Sequence, residues 1–187
     1  MNCGSNNTLS VSADVEKGAK SMIGNTNFTN IYEIECYGPD GTLKWKEIVY
    51  NTVVNEGLDD VLEVYFKAGT GVAHYVGLTD GTPTVDPTDT MSSHVGWTEV
   101  VAYDEAVRQT LTLGSVSSQS VDNSASKATF TISADSTTVG GIFIAESATK
   151  SESASVLYGG GAFTGGDKSV DDDDVLNVTV TLTTSSS

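Results

Sequence analysis

One stretch near the C-terminal end restricts the fold more than any other part of the sequence. In residues 174–184, DVLNVTVTLTT, every second residue from Leu176 to Leu182 is a leucine or a valine, and the residues between them are asparagine or threonine. Because successive side chains of a β-strand point to opposite faces, this period of two predicts a strand with one buried and one exposed face. The threonines suit the exposed face, since β-branched residues also favour extended backbone.

The same kind of alternation recurs along most of the chain. The turn sequence GPDG at 38–41 joins two such segments and predicts a β-hairpin. Besides 174–184, the predicted strands are 31–37, 42–50, 72–80, 97–103, 107–115, 127–133, 139–147 and 154–163. About nine strands at this spacing are typical of a sandwich or a jelly roll. The predicted fold class is therefore all-β, a single β-sandwich that is jelly-roll-like.

One short helix is predicted among the strands, at residues 55–69. Its large apolar residues recur at the spacing of one buried helical stripe. They are Leu58, Val61, Leu62, Tyr65 and Phe66. Asn55 can cap the first turn, and Gly69 is well placed to end the helix. We expect this helix to cover one open end or edge of the sandwich.

The first 28 residues differ from the rest of the chain. They are small and polar and show no sustained period. We predict an extended, flexible N-terminal arm at 1–28, ordered by a partner or simply frayed, and a β-sandwich body at 29–187. The N-terminus has neither the basic region nor the apolar core of a signal peptide, so secretion by that route is not expected. Cys3 in the arm and Cys36 in a strand are expected to be free thiols.

The charge balance excludes several classes of partner. The chain has 9 basic and 25 acidic residues, which gives a formal net charge of −16. Nucleic-acid binding needs a basic surface that displaces counterions from phosphates, so no nucleic acid is expected as a partner. An anionic membrane surface would repel the chain, and no apolar run approaches the roughly 20 residues of a membrane span. Docking onto a basic protein surface is compatible with this charge.

No group of residues in the sequence predicts catalysis. The two histidines, His74 and His94, lack the spacing of a zinc motif, and His74 is interpreted as an ordinary strand residue. There is no Gly-x-Ser-x-Gly element and no phosphate-binding loop. We predict a non-enzymatic protein without catalytic residues, metal ligands or a cofactor. The acidic run Asp171–Asp174 is expected to be a solvated turn, and calcium binding is its alternative interpretation.

The two tryptophans and the single arginine each have two possible interpretations. Trp45 and Trp97 lie in predicted strands and are expected to pack in the core, although aromatic side chains could also form a sugar platform. A carbohydrate-binding or adhesin module is therefore the alternative from another functional class. Arg108, the sole arginine, is expected either to pair with a nearby acid, Asp104 or Glu105, or to lie exposed on its strand.

The middle of the chain resembles a family of small virion structural proteins from tailed bacteriophages. The similarity extends over about residues 45–184 and is carried by three motifs. They are VVNEGL at Val53–Leu58, DTMSSHVGWTE at Asp89–Glu99 and YDEAVRQ at Tyr103–Gln109. Residues 1–28 do not share the resemblance.

The resemblance implies a capsid decoration, or cement, protein on the outer surface of the phage head. Such a protein would bind the major capsid protein, bridge neighbouring capsomers and self-associate as a dimer or trimer on the symmetric lattice. A neck, tail or fibre-attachment protein is the alternative within the virion. No active site is implied in either case.

Overall fold

The structure is a computed structural model, and it describes residues 26–62 and 72–186. These residues form thirteen β-strands and one α-helix. The strands are β1 (Thr26–Tyr37), β2 (Leu43–Tyr50), β3 (Thr52–Val53), β4 (Tyr75–Thr79), β5 (Glu99–Val100), β6 (Gln109–Thr110), β7 (Ser120–Asp122), β8 (Ala128–Thr131), β9 (Thr137–Val139), β10 (Gly141–Ala145), β11 (Leu157–Ala162), β12 (Lys168–Val170) and β13 (Val175–Ser186). The helix, α1, spans Asn55–Leu62. No helix in the described part of the chain is long and apolar enough to cross a membrane.

Most of the strands belong to two sheets. The first sheet has the order β2-β1-β13, and β13 then pairs with β8 along its first part and with β7 further on. The second sheet has the order β3-β11-β10-β4, and β4 pairs with both β5 and β6. Strands β9 and β12 form a separate two-stranded ribbon. The predicted all-β class with one short helix is confirmed, whereas the jelly-roll connection stays a prediction.

The main hydrophobic core is built from residues of both sheets. Every second residue of β1 from Tyr32 to Cys36 is fully buried, as the alternation predicts. In β13, Leu176, Val178 and Val180 are also fully buried. Residues of the second sheet, among them Leu78 of β4, belong to the same core cluster. The cysteine in this core, Cys36, is a free thiol, as expected, and Cys3 lies outside the described residues.

The lateral edges of the two sheets are joined to each other. On one side, Val49 of β2 forms an antiparallel bridge with Phe163, just after β11, and Thr164 N donates to Ile48 O at 3.2 Å. On the other side, a bridge between Tyr103 and Ile132 links the segment after β5 to the end of β8. These bridges leave fewer backbone groups at the edges open to another chain.

A second hydrophobic cluster covers the outer face of the second sheet. It contains Val54, Met91, Trp97, Phe143, Ala145 and Leu157. The loop at 81–94 supplies Met91, and strand β10 is buried on both faces as a result. The loop thus forms a third layer over β10.

Helix α1 lies against β11. It begins at Asn55, as predicted, and its first turn is tied down because Asn55 N donates to Pro87 O and Leu157 N donates to Glu56 Oε2. The structure describes the helix as far as Leu62, so the remainder of the predicted helix falls on 63–71, outside the described residues. Likewise, β1 begins at Thr26, and the rest of the predicted arm lies outside the described residues.

Two predicted strands, 97–103 and 107–115, are much shorter in the structure. Both pair with β4, which has only five residues. Strand β5 pairs with Leu78 and Thr79, and β6 pairs with Tyr75 and Val76. Each pairing continues only briefly past the end of β4, where Leu111 N donates to His74 O at 2.8 Å and Asp80 N donates to Thr98 O at 2.9 Å. The predicted facing of 107–115 is also wrong at its start, since Val107 is 46% exposed and Arg108 is fully buried.

Candidate functional site

A buried ion pair lies at the centre of the segments that carry the phage resemblance. Arg108 Nε and Nη2 donate to Glu99 Oε1 and Oε2, each at 2.8 Å. Arg108 also donates to the backbone carbonyls of Ser147 at 3.0 Å and Glu152 at 3.1 Å. Such two-point pairing uses the planar fork of the guanidinium and is favourable where water is excluded.

The partner of Arg108 differs from the prediction. Neither Asp104 nor Glu105 pairs with it, and the exposed alternative is wrong as well. Glu105 instead accepts a hydrogen bond from Thr131 N at 3.1 Å and so fastens its loop to β8. The nearest acids in sequence fail as partners because they lie beyond the short β5, whereas Glu99 lies within it.

The pair joins three segments of the chain. Glu99 accepts a further hydrogen bond from Ser151 N at 2.7 Å, and the Arg108 guanidinium lies 5.1 Å from the centre of the Phe143 ring. The arrangement therefore organises the loops at this end of the second sheet.

Trp97 is held between two other rings. His94 stacks on it with ring centres 3.7 Å apart, and Phe143 packs at 5.2 Å. Trp45 packs against Phe163 at 5.8 Å. The packing roles predicted for both tryptophans are confirmed, and Trp97, only 7% exposed, offers no open ring face to a sugar. A cleft of about 330 Å³ adjoins this stack, and it is lined by Met91, His94, Trp97, Thr98, Glu99 and 151–153.

The acidic run at 171–174 forms a turn, and Lys44 of β2 pairs with one of its carboxylates. Asp174 is buried, and its carboxylate accepts hydrogen bonds from Lys44 Nζ at 2.6 Å and from Asp171 N at 3.0 Å. Asp172 N donates to Asp135 Oδ1 at 3.1 Å, which fixes the turn against the segment after β8. Because Lys44 already neutralises the buried carboxylate, this geometry favours the turn interpretation over calcium binding.

A group of metal-ligating side chains that the sequence analysis did not predict lies at one end of the second sheet. Asp60, His74 and Glu146 each place a ligand atom within 4.8 Å of the others. Asp60 belongs to α1, His74 immediately precedes β4, and Glu146 immediately follows β10. The sequence analysis interpreted His74 as a strand residue, whereas it lies just before β4, and nothing in the spacing connects it to the two acids. We refer to these three residues as the Asp60–His74–Glu146 cluster.

Burial changes the ionisation of this cluster. The pKa of the Glu146 carboxyl is raised to about 7, chiefly by desolvation and also by the nearby carboxylates of Asp60 and Glu56. Desolvation also lowers the pKa of His74, against the opposing effect of Asp60. Both directions are those expected when a charged form loses water. The cluster thus holds negative charge that is incompletely solvated.

The outer face of the first sheet carries a different feature, a small apolar patch. Ile31 of β1 lies directly opposite Tyr50 of β2, and Ile48 lies on the same face of β2 two residues away. Their exposed fractions are 40%, 65% and 38%. We call these three residues the β1–β2 patch. Beside it, Glu33 pairs with Lys46 at 2.8 Å, so the patch has a charged border.

Comparisons of the chain with protein-family models, with curated proteins and with solved structures found no match. The phage resemblance therefore stays a prediction from the three sequence motifs. What the structure adds is their location: Gly57 packs on β11, Trp97 belongs to the outer cluster, and Glu99 and Arg108 form the buried pair. These four motif residues thus contribute to the internal packing of the body.

Proposed function

We propose that this chain is a non-enzymatic structural protein of a tailed-bacteriophage virion, of the capsid decoration type, that binds the outer surface of the head. The proposal rests first on the resemblance carried by residues 53–58, 89–99 and 103–109. The structural observation that supports it is the β1–β2 patch on the outer face of the first sheet. Weak contacts can suffice for attachment when they are repeated over a lattice.

The major capsid protein is the proposed partner, and the patch with its border is the proposed contact. Three apolar side chains on one face resemble the centre of a protein interface, where buried apolar residues are ringed by polar ones. The net charge of −16 favours a partner surface with basic groups around an apolar depression. Self-association as a dimer or trimer would multiply these contacts across neighbouring capsomers.

Imaging of purified virions tests this proposal directly. We expect density for the body on the outside of the head, in a copy number that follows the capsid lattice. About a dozen copies or fewer, located at the portal vertex, would instead indicate a neck or tail protein. Purified heads that lack the chain altogether would contradict the proposal.

The β1–β2 patch makes a specific prediction about attachment. Replacing both Ile48 and Tyr50 by threonine puts a residue that favours extended backbone at two exposed strand positions, so the melting temperature should change little. Removing two apolar anchors should weaken binding to decoration-free heads by about tenfold or more. Co-sedimentation of the protein with heads measures this affinity.

The matched control for that experiment is Val95→Thr. Val95 is 84% exposed but lies in the loop over the second sheet, away from the β1–β2 patch. Its replacement should leave head binding unchanged. Equal loss of binding in both variants, or none in the double variant, would show that the patch is not the contact.

A further inference from the structure

The Asp60–His74–Glu146 cluster is a consequence of the sheet register. Strands β4 and β10 are antiparallel, with Tyr75 opposite Ala145. Continuing this register by one residue sets His74 opposite Glu146, so an imidazole and a carboxylate meet at the end of the sheet. Helix α1, which packs on β11, adds Asp60 from above the same end.

We propose that this cluster binds a divalent transition-metal ion, with Zn²⁺ as the preferred occupant. Three ligand atoms within 4.8 Å of one another can converge on one ion by side-chain movements of about an ångström, since Zn–N and Zn–O bonds are about 2.0–2.2 Å long. Histidine nitrogen and Asp or Glu oxygen are both zinc donors, and a site with three protein ligands leaves the fourth position to water.

A second observation points to a missing cation. Glu146 is only partly buried, but its Oε1 atom is buried and has no hydrogen-bond partner in the described residues. A buried acceptor without a donor is costly, and metal coordination is one of the few ways to satisfy it. The carboxylate of Glu56, one helical turn before Asp60, adds to the negative field at Glu146. The site therefore combines convergent ligand atoms with an unsatisfied oxygen that a cation would satisfy.

The imidazole decides between classes of cation. Ca²⁺ and Mg²⁺ prefer oxygen ligands and larger coordination numbers, whereas imidazole nitrogen suits Zn²⁺ and the neighbouring transition metals. The bound ion would link α1 to β4 and β10 and so act as a staple between the helix and the second sheet. This role is independent of head binding, and the experiment below does not depend on the proposed function.

Zinc titration of the full-length, untagged chain after removal of metal with a chelator tests the proposal. Calorimetry should show about one Zn²⁺ bound per chain, and the melting temperature should rise by roughly 5–10 °C at a hundredfold excess over the dissociation constant. Replacement by Co²⁺ should give visible absorption bands of a low-coordinate site. Ca²⁺ at the same concentration should produce a smaller shift.

Two variants and a control make the assignment specific. His74→Ala and Glu146→Gln should each lose the zinc-induced shift, while His94→Ala, which removes the other histidine, should retain it. Glu146→Gln is nearly isosteric and relieves repulsion among the acids, so the metal-free variant should fold at least as well as the parent protein, even if His74→Ala does not fold. Retention of zinc binding in Glu146→Gln, its loss in His94→Ala, or no stoichiometric binding by the parent would overturn the proposal.

Discussion

Replacing Arg108 by methionine is expected to lower the free energy of unfolding by about 3–5 kcal/mol, because it leaves the Glu99 carboxylate buried without its partner. The Arg108 side chain is fully buried and the Glu99 side chain is 7% exposed, so water cannot take over the lost hydrogen bonds without opening the loops. Methionine fills much of the arginine volume, which keeps the cavity contribution small. Urea denaturation followed by circular dichroism measures the difference.

The control for Arg108→Met is Lys127→Met. Lys127 pairs with Glu35 at the same 2.8 Å, but the lysine side chain is 34% exposed. Exposed pairs contribute about 0–1 kcal/mol, so this variant should be close to the parent protein. A double variant, Arg108→Met with Glu99→Leu, removes the carboxylate that Arg108→Met leaves buried and unpaired. It should be no less stable than Arg108→Met alone. If Arg108→Met matches Lys127→Met, the buried pair does not stabilise the body.

Local alternation could predict which residues of the long strands face the core. In β1 and β13 the apolar residues predicted to share one face are the buried ones, because one face of each strand lies on the main core. Short strands follow different rules. Arg108 lies just before the two-residue strand β6 and is buried through its pair with Glu99, a contact between separate segments that local alternation does not show.

The candidate sites depend on contacts between distant parts of the chain. His74 meets Glu146 only through the register of β4 with β10, and no local pattern fixes that register across the intervening loops. Glu99 meets Arg108 because β5 and β6 both pair with β4. In the same way, sequence alone shows Gly57 as an unfavourable helix residue and does not show the strand that lies against it.

Gly57→Ala gives the second large expected effect, and its sign distinguishes packing from helix propensity. Alanine is the better helix former by about 1 kcal/mol, so α1 considered alone would gain stability. In the structure, however, a Cβ at Gly57 would lie 2.4 Å from Tyr158 O and 2.9 Å from its Cα. These are backbone atoms of β11 that cannot rotate away, so the helix must move off the sheet. Overpacking of this kind costs about 1–3 kcal/mol, and we expect net destabilisation.

Gly114→Ala is the matched control for Gly57→Ala. Its nearest contact to a new Cβ is Asp122 O at 3.4 Å, and its φ is not in the left-handed region. Alanine there should be neutral or stabilising by about 0.4–1 kcal/mol, because it restricts the unfolded chain. Thermal denaturation of both variants separates the two effects. An increase in melting temperature for Gly57→Ala would mean that α1 does not lie as close to β11 as the structure shows, and Asp60 would then be displaced from His74 and Glu146 as well.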